Sequence, residues 1–194
     1  MKISICTPVH DTPKKDFFLS RIEKSLSEQS FQDFEFVVTQ EGKMAENTNA
    51  AIKKAKGDIV KILYLDDYLA HKFSLQVIVD NWENYWMVTG CDHHSDGFVS
   101  NPHLPSINGL PFDVNTIGSP SVLAFENNDP LYFDEELSWL LDVDLYKRLR
   151  ERNGDPTIIN DINVTIGIHD DQMTHILTDE DKKREADYMI KKYA

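Results

Sequence analysis

Short apolar runs alternate with stretches of helical period through the first third of the chain. "KISICTPV" reads as a buried strand ending near Pro8. "DTPKKDFFLSRIEKSLSEQ" follows, with Phe18, Ile22 and Leu26 a turn apart, and predicts a helix with Thr12 as N-cap and Pro13 at its first position. "FEFVVTQ" predicts a second strand, "MAENTNAAIKKAK" a second helix stopped by Gly57, and "DIVKILYL" a third strand. Alternation of this kind favours a mostly parallel α/β sheet with helices on both faces.

Beyond residue 70 the pattern is less regular. "FSLQVIVDNW" places Leu75, Ile78, Val79 and Trp82 at helical spacing, and "YWMVTGC" reads as a strand. From Asp92 to Pro120 the chain is rich in Gly, Pro, Asn and His without any period, which predicts a loop with at most one short strand, lying over a site. "ELSWLLDVDLYKRLRERNG" is a helix with Leu141, Leu145 and Leu149 in register and Gly154 past its end. "PTIIN" and "NVTIGIH" read as two short strands, and "DEDKKREADYMIKKY" as a closing amphipathic helix. No internal repeat or low-complexity tract interrupts this order, so the 194 residues suit one domain over 1–177 with the last helix, 178–194, packed on it.

Thirty-three acidic against twenty basic residues give a formal charge of −13, which opposes nucleic acid or an anionic membrane as partner. The lysines at Lys53, Lys54 and Lys56, and the basic run Lys182 to Arg184, read as solvated helix faces. No apolar run is long enough to cross a bilayer, so the chain is expected in the cytoplasm, with Cys6 and Cys91 as reduced core thiols.

Against this background "GDIVKILYLDDYL" is unusual, because an apolar strand ends in two adjacent carboxylates. Ligands of open parallel sheets bind beyond the carboxyl ends of the strands, where Asp66 and Asp67 fall. Two readings account for the pair. Asp67 caps the helix that follows while Asp66 is solvated, or the pair holds a hard divalent cation whose other places go to water and substrate phosphates. The second implies a nucleoside-diphosphate substrate.

The order of "SICTPVHD", "FEFVVTQEG", "NAAIKKAKGDIVKILYLDD", "FDEELSWLLDVDLYKRL" and "IGIHDDQMT" resembles the family 2 glycosyltransferases of the GT-A fold, in a minimal single-domain form. That resemblance implies a Rossmann-like sheet and inverting sugar transfer to a glycan or other hydroxyl acceptor. It also implies Mn2+ or Mg2+ as cofactor and a nucleotide-sugar donor, a UDP-sugar first and a GDP-sugar next. It makes Pro8 and His10 part of the donor site, with Gln40 and Glu41 where the family commonly carries an acidic pair for the base. Asn49 matches the asparagine eight residues before the glycine, here Gly57. Asp66 contributes to both donor and metal, and Asp67 and His169 to the metal. Gly118 and Ser119 fall at a turn that lies near the donor sugar in such enzymes, although turn chemistry explains them equally well. This chain departs from the pattern at Thr48 in place of a common arginine, at Gln40 in place of an aspartate, at Tyr64 in the first position of Asp-x-Asp-Asp, and at Leu141 in place of a glutamate.

Inverting transfer needs one base to take the acceptor's proton. Asp142 and Asp144 both offer a carboxylate, yet two residues apart on a helix they point about 200° from one another, so at most one faces the crevice. The family's motif aligns Asp142 with the base and leaves Asp144 on the helix surface or behind the site. His169 fits either a ligand or a structural hydrogen-bonded histidine; His93 and His94 receive no role. Two other classes compete. A sugar-phosphate nucleotidyltransferase would need a Gly-rich basic loop after the first strand, and "TPVHDTPKK" has no glycine. A degenerate nucleotide-sugar-binding domain without transfer activity is consistent with Thr48, Tyr64 and Leu141.

Overall fold

β1 (Ile3–Pro8), β2 (Phe34–Thr39) and β3 (Ile59–Ile62) run parallel in the order β2-β1-β3, linked by the crossover helices α1 (Lys15–Ser27) and α2 (Met44–Lys54). The computed structural model describes residues 1–95, 98–107, 115–170 and 172–194. After β3 come β4 (Tyr68–Leu69), α3 (Ser74–Asp80), β5 (Trp86–Ser95), β6 (Phe98–His103) and a 3-10 turn at Pro120–Val122. The remaining elements are β7 (Leu123–Glu126), α4 (Leu141–Asn153), β8 (Thr157–Gly167), α5 (Met173–Ile176) and α6 (Asp179–Tyr193). One sheet joins the strands in the order β2-β1-β3-β7-β5-β8-β4, with β6 alongside β5. Its long ladders, β1 with β2 and β5 with β8, are parallel, and β7, β4 and β6 join antiparallel. The architecture is therefore the α/β arrangement that the alternation predicts.

Ile3, Ile5 and Ile62 of the parallel strands, Ile22 and Ile52 of the crossover helices, and Trp86, Phe125, Leu145 and Tyr146 share one buried core. Cys6 and Cys91 belong to it as free thiols; burial pushes them up to about 12 and about 11 respectively. Among the described residues no helix is long and apolar enough to cross a membrane.

Several boundaries differ from the sequence reading for local reasons. Thr12 and Pro13 belong to a turn closed by the Lys15 amide on the Thr12 carbonyl, so α1 starts at Lys15 without a side-chain cap. α2 ends at Lys54, ahead of Gly57, whose missing Cβ instead leaves room for the backbone of Lys2 and Ser4. "PTIIN" and "NVTIGIH" form one strand, because β8 carries extra residues opposite Gly90 and passes through the irregularity without breaking. The loop expected over Asp92–Pro120 is partly strand, since β5 continues to Ser95 and β6 pairs back on it; residues 96–97 and 108–114 of that span lie outside the described residues. α3 starts only at Ser74, with Phe73 at its N-cap, so Asp67 caps no helix.

The crossing from β3 to β4 organises the carboxyl edge of the sheet. The chain turns at Tyr64–Asp67, the Asp67 amide donating to the Tyr64 carbonyl, and reaches β8 as Tyr68 pairs with Thr165. At the end of β8 the Gly167 amide donates to Asp67 Oδ1 at 3.0 Å. A side chain at Gly167 would collide with the Asp66 carbonyl, so only glycine allows this approach. Gly167→Ala is expected to cost about 1–3 kcal/mol, as overpacking does, read as a lower denaturation midpoint at constant slope.

Candidate active site

A cavity of about 910 Å³ opens at this edge, lined by Pro8 and His10 after β1, by Tyr64, Asp66 and Asp67 after β3, and by Ile168 and His169 after β8. Ser119, Asn115 and the start of α4, including Trp139 and Asp142, form the facing wall. The volume lies within the range of sites for ligands of nucleotide-sugar size.

Asp66 is partly exposed, and its Oδ2 lies 3.0 Å from His169 Nε2. Its backbone carbonyl accepts from Arg21 of α1, whose guanidinium also packs on the rings of Phe18 and Tyr68. Asp67 is turned inward and buried. Burial first, and then the Asp66 charge, push its carboxyl well above the usual carboxylate range, against the pull of the Ser121 hydroxyl, the Gly167 amide and Arg21. Beneath it Lys61, 0% exposed on β3, donates to the Ser121 carbonyl, and burial pulls its ammonium down to about 7 although Asp67 and Cys91 oppose the shift. Two basic side chains of the chain itself, Arg21 and Lys61, thus couple electrostatically to the doublet. The sequence reading passed over both; Lys61, a lone lysine inside the apolar run "DIVKILYL", was the available signal.

On the facing wall Asp142 stands in the first turn of α4. Its Oδ2 accepts from Asn115 Nδ2 at 2.7 Å and its Oδ1 from the Val143 amide at 2.7 Å. Burial raises its carboxyl to about 7 in spite of these hydrogen bonds. Asn115 also accepts from the amides of Ile117 and Gly118, so one side chain shapes the turn and orients the carboxylate. It falls in the aperiodic stretch, where "NTIG" offered only an Asx-turn pattern.

Asp144 faces the other way, as helix geometry requires, and it is buried rather than on the surface. Arg148 Nε, Lys192 Nζ and the Tyr193 hydroxyl reach its carboxylate at 2.7, 2.6 and 2.6 Å.

Of the residues expected in the site, Pro8, His10, Asp66, Asp67, Ser119, Asp142 and His169 line the cavity. Gly118 stands one residue behind the wall, its carbonyl accepting from Tyr146 and Asn115. Gln40 and Glu41 lie outside the lining next to Gly42, held by Lys15 and Lys54 at 2.5 Å each. Asn49 is not among the residues that line the cavity. Both ends of its amide hold the Phe133 backbone, at 3.0 and 2.8 Å, so this buried side chain braces α2 against the loop before α4.

No protein-family model and no curated protein sequence matches the chain. Among solved structures, S. aureus TarS residues 1–349 in complex with UDP matches with a TM-score of 0.68 at 15% identity, over 98% of this chain and 64% of that one. The same protein with UDP-GlcNAc gives 0.69 at 16% identity, over 98% and 66%. The fold is that of the GT-A glycosyltransferases. The chain spans less than two thirds of the length of these neighbours.

The two α4 aspartates separate in experiment. Asp144→Asn strips a buried charge from two cations and is expected to cost ~2–3 kcal/mol of unfolding free energy. Asp142→Asn relieves an unfavourably buried carboxylate and should leave the melting temperature unchanged or higher. Denaturant titration of the two variants checks the pair.

Proposed function

We propose that this chain transfers a sugar from a nucleoside-diphosphate sugar to an acceptor hydroxyl with inversion, with Asp142 as the base. The observation that supports it is the facing of the Asp66–His169 pair and Asp142 across one cavity, in a fold whose neighbours were crystallised with UDP and UDP-GlcNAc. A UDP-sugar is therefore the first donor to try and a GDP-sugar the next.

In the transfer the acceptor oxygen attacks the anomeric carbon as the bond from that carbon to the diphosphate breaks, and the acceptor's proton passes to Asp142. A carboxyl raised to about 7 by burial is a stronger base than an exposed one and is about half ionised at neutral pH. Asn115 holds one carboxylate oxygen in place, and the apolar residues of the cavity wall, Leu140, Val143 and Ile166, limit the water that competes with the acceptor.

The residues fit a divalent cation as a partial shell. Among the described residues no cluster of three or more His, Cys, Asp or Glu could hold a metal by itself. Asp66 and His169 would supply two ligands for Mn2+ or Mg2+, with Asp67 behind them and phosphate oxygens and water completing the shell. A cation there would offset the charge gathered on the leaving diphosphate.

UDP, GDP, dTDP and CDP with Mn2+ test the donor site by thermal shift, and hydrolysis of the matching nucleotide sugars tests the chemistry. UDP with Mn2+ is expected to raise the melting temperature more than either alone. If none of the four diphosphates moves it, the donor reading is wrong. For the base, Asp142→Asn should lower turnover ~100 to 10,000-fold while leaving the UDP dissociation constant within about twofold. Because transfer needs the ionised carboxylate, wild-type kcat/KM should rise with pH to a plateau, with its midpoint near 7.

A further inference from the structure

α4 begins without a cap of its own. Leu140 stands at the N-cap, "SWLL" puts no side-chain acceptor there, and the amides that lead into the helix need partners from elsewhere. The partner comes from α6. Glu185, 2% exposed, takes the Ser138 amide on Oε1 at 2.9 Å and the Trp139 and Leu140 amides on Oε2 at 2.8 and 2.9 Å. Two further ties run from α6 to the same stretch. Tyr188 and Lys192 hold Asp134 at 2.8 and 2.5 Å, and Lys192 and Tyr193 hold Asp144. Segment 134–144 is therefore held at both ends and in its middle, and its middle supplies Ser138, Trp139, Leu140 and Asp142 to the cavity wall.

We propose that Glu185 is a positioning residue for sugar transfer, fixing through the Ser138, Trp139 and Leu140 amides the turn from which the Asp142 carboxylate projects. The inference rests on the transferase reading above. α6 is on this account a working part of the site rather than a trailing helix.

The geometry argues for positioning beyond packing. A carboxylate that accepts from consecutive amides fixes the direction of each peptide plane, and α4 starts from those planes. A base displaced by about 1 Å loses on the order of 100-fold in rate, so a small rotation of the first turn is enough to matter. Charge adds an independent signature. The titratable groups facing Asp142 are Tyr64 from the turn after β3, Tyr146 one turn along α4, and Glu185 from α6. Burial is the main cause of the raised Asp142 carboxyl, and the Glu185 charge adds to it in the same direction. Neutralising Glu185 therefore lowers the pH at which Asp142 ionises.

Glu185→Gln keeps the size but turns an NH2 group toward the backbone donors, and Glu185→Asp keeps the charge one methylene short. Each would be compared with wild type for amide hydrogen exchange, UDP affinity, turnover and the acid limb of kcat/KM. In Glu185→Gln, exchange should quicken at 138–140 but not in β1 or β3, turnover should fall about 10- to 100-fold at unchanged UDP affinity, and the acid limb should move to lower pH. Glu185→Asp should recover part of the turnover and keep the wild-type limb. Faster exchange with wild-type turnover and limb would overturn the proposal, as would a loss of UDP affinity equal to the loss of turnover. If Glu185→Gln does not fold, Glu185→Asp decides alone: quicker exchange at 138–140 with turnover reduced supports positioning, and wild-type turnover refutes it. A wild-type protein inert toward every donor refutes the transferase reading and this proposal with it, while exchange at 138–140 still reports whether Glu185 braces the segment.

Discussion

The close approach of two chain crossings at the carboxyl edge of the sheet governs the rest of the site. The turn after β3 must pass over the end of β8, and the contact is made by the Gly167 amide on Asp67 and by Gly167 leaving room for the Asp66 carbonyl. Once that contact is made, Asp66 and His169, separated by more than a hundred residues, come within hydrogen-bond distance. The two aspartates then cannot be equivalent. Asp67 is committed to the crossing and buried, while Asp66 is left at the cavity with its carboxylate available.

A buried carboxylate beside a second one is costly unless positive charge is close. Arg21 meets part of that requirement through its bond to the Asp66 carbonyl and its attraction to Asp67, and Asp67 in turn favours the charged form of buried Lys61. Lys61 is itself buried, so it and Asp67 lower each other's cost, and its bond to the Ser121 carbonyl ties β3 to the turn that carries Ser119. Composition hid this arrangement. A charge of −13 describes the surface field, whereas the doublet has two basic groups near it whose positions follow from the crossover of α1 and from the face of β3 that Lys61 occupies.

The strand and helix order of the first third of the chain was legible because each element has one buried face and the period shows it. So was the opposition of Asp142 and Asp144, which follows from helical geometry alone. What was not legible came from long-range pairing. β7 is four residues long and joins antiparallel, so no period announces it, and nothing near Asn49 announces that its amide meets the backbone of Phe133, 84 positions away. Asn115 and Glu185 escaped for the same reason. The Asx turn of Asn115 is local, but its bond to the Asp142 carboxylate and the amides that Glu185 accepts from are brought in by the fold, and nothing in the local sequence marks them.

The departures from the family pattern acquire a physical sense once placed. Tyr64, which stands at the first position of the Asp-x-Asp-Asp pattern that the sequence resembles, lines the cavity, and Thr48 gives its hydroxyl to the Met44 carbonyl within α2. Leu141 is different, because it is buried in the core and brings no acid to the start of α4. An acid is nevertheless present there, on Glu185 of α6, and it meets the backbone instead of the cavity. The changes at Thr48 and Tyr64 leave Asp66, His169 and Asp142 on the walls of one cavity. Keeping the Asp142 carboxyl in that wall has a cost, since burial disfavours its ionised form, and the hydrogen bonds from Asn115 and the Val143 amide offset part of it.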